Sequence, residues 1–144
     1  MWTNLALGTL IIAGTVCVHT VGLVVLTRVM VAIRKPLRLD RHPVGRTFAM
    51  TGIVLGLFLL HTLEVWIWAF AYLAIGALDQ LEAALYFSTT SFSTLGYGDV
   101  VLPMDWRLLG SLEGVSGFLL IGWSTAYLVA ASTRLGPFRT GEHF

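Results

Sequence analysis

Three stretches of this chain run almost without charge over lengths that a water-soluble helix does not need. Leu5 to Thr27 has no formally charged residue, Phe48 to Leu78 has only Glu64, and Leu108 to Thr133 has only Glu113. Each exceeds the ~20 residues that carry an α-helix across a bilayer. Within lipid every backbone N–H and C=O must be bonded inside the protein, so such stretches fold as helices. Three transmembrane helices are predicted. The whole chain agrees: 144 residues, 56% hydrophobic and 12% charged, with a mean hydropathy of +0.81, outside the balance of soluble domains. A cleaved leader needs positive charge ahead of its apolar core, and Met1 to Leu26 has no Lys or Arg. The first stretch is therefore expected to stay as a helix. A net charge of +1 gives no basic field for nucleic acid. The single cysteine, Cys17, cannot form an intrachain disulfide, and neither CxxC nor a Cys/His metal spacing occurs.

Charge sets the orientation. Arg28, Arg34, Lys35, Arg38, Arg41 and Arg46 face one acid, Asp40, in the first connection, so the positive-inside rule keeps it cytoplasmic and puts the N-terminus outside. The second connection, Gly76 to Trp106, carries Asp79, Glu82, Asp99 and Asp105 with no Lys or Arg, as an external segment should. The tail with Arg134 and Arg139 then returns to the cytoplasm. The basic linker 28–46 is expected to lie near anionic lipid headgroups, although Pro36 and Pro43 oppose one continuous amphipathic helix there.

The external connection contains an oddity, "STTSFSTLGYGDVVLP" at 88–103. Ahead of it, "DQLE" at 79–82 places an N-cap acid three residues before Glu82, a helix-start signal. A helix over 80–92 rises ~20 Å, far enough to end near mid-membrane. The chain must then climb back through "STLGYGD", and irregular backbone at that depth is tolerated only where it is enclosed by protein or lines a wet cavity. Gly96 and Gly98 permit a strand whose successive carbonyls point one way. Thr94 adds a hydroxyl. The helix aims its C-terminal partial negative charge at mid-membrane, which favours a cation. Leu95 and Tyr97 are expected to turn into packing against Tyr86, Phe87 and Phe92.

The run "TLGYGD", between a Ser/Thr-rich helix and an apolar helix, resembles the TVGYGD signature of potassium channels. The likeness covers residues 48–134, the two-helix pore unit of small prokaryotic channels, with residues 1–47 as an extra N-terminal helix and linker and 135–144 as a short tail. It implies an all-α membrane protein with three transmembrane helices, a re-entrant pore helix (80–92) between outer (48–78) and inner (108–133) helices, and a filter at 94–99. It also implies a C4 homotetramer in a prokaryotic inner membrane, no cofactor besides permeant K+, and no catalysis. K+ would be coordinated at Thr94, Leu95, Gly96 and Tyr97, with Gly98 completing the turn outward. Asp99 would sit behind the outer mouth. Two positions depart from the pattern. Leu95 replaces the usual Val or Ile and is freer at χ1, which weakens the expected preference for K+ over Na+. Thr90 stands where some relatives have a carboxylate, so Asp99 needs another partner, Tyr86 or Trp106. In the last helix Gly117 and Gly122 fall where such helices bend, close packing being the other reading. Phe118, Ile121, Thr125 and Val129 share a face expected to line the inner cavity.

Ionisable residues in the spans are expensive. Glu113 is expected to brace the pore helix. His61, one turn before Glu64, reads as a structural hydrogen-bond partner before a proton-sensitive one. His19 reads as packed or at the lipid interface, and Gly8, Thr15 and Gly22 read as a stripe against the second helix. A span with Arg at every third position, as voltage sensing needs, does not occur. Two other functions compete. "GVSG" at 114–117 matches the GxSG of rhomboid-type intramembrane proteases, with Ser116 as nucleophile and His19 or His61 as base, but it leaves GYGD unexplained. A non-conducting accessory subunit has no need of the 94–99 run.

Overall fold

A computed structural model describes residues 1–34, 36 and 43–135. Lys35, Arg38 and Arg41 of the basic linker and the tail from 136 onward lie outside the described residues. The chain forms α1 (Trp2–Arg34), α2 (Pro43–Ala74), a short α3 (Leu81–Phe92), one 3-10 turn (Met104–Trp106) and α4 (Arg107–Leu135), with no strand among the described residues. Three helices, Trp2–Ile33, Val44–Ala74 and Met104–Arg134, are long and apolar enough to cross a membrane. The architecture is an all-α membrane protein.

The helix ends differ from the apolar runs for local reasons. Proline is pre-set for the first helical position, and α2 starts at Pro43 rather than Phe48. It stops at Ala74, not Leu78, because Gly76 takes φ +67° and a Schellman closure forms: Ala77 N–H donates to the Tyr72 carbonyl at 2.9 Å and Gly76 N–H to Leu73 at 3.1 Å. Gln80, not Asp79, is the N-cap of α3, and no side chain caps it. The expected capping box is not formed. Leu102, at 2% exposure, instead anchors the chain re-entering α4.

α3 folds down between α2 and α4. Ser88 reaches the Val65 carbonyl, Phe92 meets the ring of His61, and Phe92 backbone lies against Gly117. Since α2 ends at Ala74, the tip of α3 lies about 20 Å below that end at 1.5 Å per residue. One apolar cluster surrounds α3, with Trp68, Tyr72, Phe92, Leu109 and Leu120. A second, with Leu23, Met30, Ile53, Leu57 and Leu60, joins α1 to α2 at the other end. The small-residue stripe of α1 is shared between two helices: Gly22 faces Leu60 of α2, but Gly8 faces Leu109 and Leu112 of α4. The expectation of a stripe against the second helix alone is corrected, since α1 packs into the groove between both.

Candidate functional site

The run after α3 has an alternating backbone. Thr94, Gly96 and Gly98 have φ of +61°, +55° and +79°, while Leu95 and Tyr97 between them keep negative φ. Alternation between left- and right-handed residues turns successive amides to one side and so sends successive carbonyls to the other. The amides are used: Thr94 N–H donates to the Ser91 carbonyl at 2.9 Å, and Leu95 and Gly96 N–H both donate to the Thr90 carbonyl at 2.9 and 3.0 Å. Among the described residues no donor reaches the carbonyls of Thr94, Leu95, Gly96 or Tyr97. They stand open beside the C-terminal, partially negative end of α3. Carbonyls lined up in this setting would suit a dehydrated cation and repel an anion.

Within one chain Leu95 and Tyr97 are 57% and 68% exposed, so the packing expected against Tyr86, Phe87 and Phe92 is not made. Those aromatics are engaged elsewhere. Phe87 stands edge-on to Tyr72 at 5.3 Å, Phe92 turns to His61, and the Tyr86 hydroxyl donates to Asp99 Oδ2 at 2.7 Å. Tyr86 is thus the partner of Asp99, while Trp106 packs against the apolar cluster around α3. The Tyr86 hydroxyl, aided by the Asp99 and Val100 N–H groups against some desolvation, holds the Asp99 carboxyl below the usual carboxylate range. Thr90 bonds back to the Phe87 carbonyl through its side chain and holds the Leu95 and Gly96 amides through its own carbonyl.

Glu113 fastens α3 from behind. It is fully buried and accepts from Tyr72 of α2 at 2.6 Å, while Ser88 of α3 lies 2.5 Å from its Oε1. The residues Tyr72 and Ser88 escape a reading of motifs, although a carboxyl inside a membrane helix signals that hydroxyl partners must exist. In α4, Gly117 allows close packing: a Cβ there would collide with the Phe92 backbone, whereas one at Gly122 would meet nothing within 4 Å. Phe118 and Val129 are 67% and 59% exposed, and Ile121 and Thr125 line a cavity of about 610 Å³ between α2, α3 and α4.

A second buried group joins α1 to α2. Glu64, fully buried, sits between two imidazoles: His19 Nδ1 lies 2.8 Å from Oε1 and His61 Nδ1 lies 2.8 Å from Oε2. His19 is therefore a buried partner and not a lipid-interface residue. Both candidate bases of a protease are held by Glu64, and the buried Ser116 hydroxyl has no hydrogen-bond partner, so no nucleophile–base pair is assembled. Nothing in sequence spacing could join His19 to Glu64, which are 45 residues apart; only the packing of α1 does.

No curated protein and no solved structure shows a significant match to the chain. The family model described as "Ion channel" matches residues 58–134, a span of more than half of the 144 residues that takes in the second half of α2, α3, the alternating run and nearly all of α4. That span contains every element of the open carbonyl row and its anchors, and the chain belongs to the ion channel family.

Proposed function

We propose that the protein is a potassium channel in which four copies surround one axis and K+ passes down its gradient through the carbonyls of Thr94, Leu95, Gly96 and Tyr97. The observation that carries this reading is the alternating backbone with its unbonded carbonyls. Carbonyls in a row can replace an ion's hydration shell, and rings of them select among cations. One chain supplies oxygens from one side only, so enclosure needs further copies, and closed cyclic symmetry is the usual solution. The exposed side chains of Leu95 and Tyr97 favour such an arrangement, since a neighbouring copy would cover them. Gly98 turns the chain outward and Asp99, tied to Tyr86, steadies the mouth. Phe118, Ile121, Thr125 and Val129 would face the inner cavity, with Gly117 and Gly122 setting the approach and bend of α4. The membrane is a prokaryotic inner membrane, with the N-terminus outside, the C-terminus cytoplasmic, and the 28–46 linker near anionic lipid.

A second reading, a weakly selective monovalent cation channel, is favoured by one feature. Leu95 lacks the β-branch that stiffens such a strand and has no cover in its own chain. The test is flux from liposomes containing the purified protein, with K+ and Na+ gradients in parallel. Barium-sensitive K+ movement well above Na+ movement is expected. Equal movement of both ions supports the second reading, and no movement from a well-folded tetramer removes both.

A further inference from the structure

α1 and α2 meet at a cluster of nitrogen and oxygen atoms that ion conduction does not use. Glu64 has 0% exposure, and its ion-pair partners among the described residues are the two imidazoles of His19 and His61. A carboxylate taken into an apolar interior costs several kcal/mol unless positive charge accompanies it. Neutral imidazoles bring none. A proton on His19 meets an obstacle, because its Nε2 is buried without a hydrogen-bond partner, and an imidazolium would leave a charged N–H there with no acceptor. A metal ion instead concentrates its charge between the three donors.

We propose that His19, His61 and Glu64 form a binding site for a divalent transition metal of the Zn2+ class, held between α1 and α2. One donor atom from each residue lies within 4.8 Å of the other two. Two imidazoles with one carboxylate suit Zn2+ and Co2+, whereas Mg2+ and Ca2+ take oxygen ligands. Metal–ligand bonds of ~2.0–2.1 Å at tetrahedral angles set ligand atoms about 3.3 Å apart. Each Nδ1 lies 2.8 Å from a different oxygen of Glu64, so these contacts open by about half an ångström as the ion replaces the hydrogens, while the remaining separations, within 4.8 Å, draw in toward the ion. His61 has 20% side-chain exposure and lines the 610 Å³ cavity together with Thr62, Thr89, Ser93 and Thr125. The cavity reaches the site from the His61 side and leaves room for water at the ion's fourth position. His19 and Glu64 close the opposite side. One ligand comes from α1, outside the family span of 58–134, so the site requires the helix that the pore unit alone does not.

Co2+ absorption tests this. The tag-free chain in detergent, with His42 and His143 replaced by alanine so that His19 and His61 are its only imidazoles, is titrated with Co2+ and followed in the visible. Intense d–d bands saturating at one ion per chain are expected, displaced by Zn2+ and not by excess Mg2+. His19→Ala and His61→Ala each weaken the bands' affinity at least about tenfold, with folding checked by helical circular dichroism and gel filtration. If an alanine variant unfolds, His61→Gln, which keeps most of the volume, shows the same loss. Absence of bands with both histidines intact, or an affinity unchanged in a folded variant, overturns the site. The readout needs no conduction, so it stands or falls apart from the channel reading.

Discussion

Two glutamates lie inside this bundle with no exposure at all, and their neighbours give them opposite chemistry. Glu64 is clasped by ring nitrogens from α1 and α2, which can hold a proton or a metal. Glu113 is clasped by hydroxyls from α2 and α3, which can do neither and offer hydrogen bonds alone. The hydrogen count at Glu113 is instructive. Ser88 Oγ lies 2.9 Å from the Val65 carbonyl and 2.5 Å from Glu113 Oε1. A hydroxyl has one hydrogen, so both contacts are hydrogen bonds at once only when the carboxyl carries a proton and donates to Ser88. An acid protonated in that way needs no counter-charge. The same residue type at the same burial is held by ring nitrogens near α1 and by hydroxyls behind α3.

The clamp should be the more costly to cut. Glu113→Ala strands the buried Tyr72 hydroxyl, leaves Ser88 with only its bond to the Val65 carbonyl, and opens a cavity, together about 3–5 kcal/mol. It is expected to lower the melting temperature in detergent most and to abolish K+ flux, because the carboxyl that links α3 to α4 and to Tyr72 of α2 is gone. His19→Ala removes one bond to a buried carboxyl, about 1.5–3 kcal/mol, and should leave flux in place since no bond that anchors residues 94–96 is touched. Flux that survives the first change and fails in the second would reverse the comparison. Glu113→Gln sharpens it further: the amide N–H can donate to Ser88 while its oxygen accepts from Tyr72, so the cost should be about 1 kcal/mol or less. A loss as large as that of alanine would mean that Glu113 is a charged clamp after all. Glu64→Gln should instead abolish Co2+ binding, because an amide is a far poorer ligand than a carboxylate.

The same contrast explains what could be read from the sequence. The three spans were legible because charge-free runs have one outcome in lipid, and the positive φ of Gly96 and Gly98 after α3 was legible because glycine alternation has few other uses. Hydropathy did not register the Schellman stop, since Ala77 and Leu78 are as apolar as the helix before them; Gly76 was the signal that marked it. Glu113 as a brace was legible from its cost in a membrane, but Ser88 and Tyr72 were not, because hydroxyls are common and only packing selects two. His61 and Glu64 were legible as one helical turn. His19 was not, since it depends on how α1 lies across α2. The exposure of Leu95 and Tyr97 was missed for a related reason: the aromatics expected to cover them are taken up by Tyr72, His61 and Asp99.

Asp99 is a third carboxyl and the control for the buried two, since it is exposed and has one side-chain partner, Tyr86. Water screens that bond, so its effect should be the smallest and should show in pH rather than in stability. The folded carboxyl titrates below its usual range, chiefly because Tyr86 donates to it. A depressed value contributes stability that is present above the ordinary carboxylate range and is lost as pH falls through the folded value. Tyr86→Phe removes the donor, so Asp99 should take up its proton at a higher pH than in the parent protein. At neutral pH the two should conduct nearly alike, because the carboxyl is ionised in both. On external acidification the variant's flux should begin to fall first, with the parent following at lower pH. Superimposable profiles would mean that the Tyr86 bond does not govern the outer mouth, and that whatever steadies Asp99 comes from its own backbone amides.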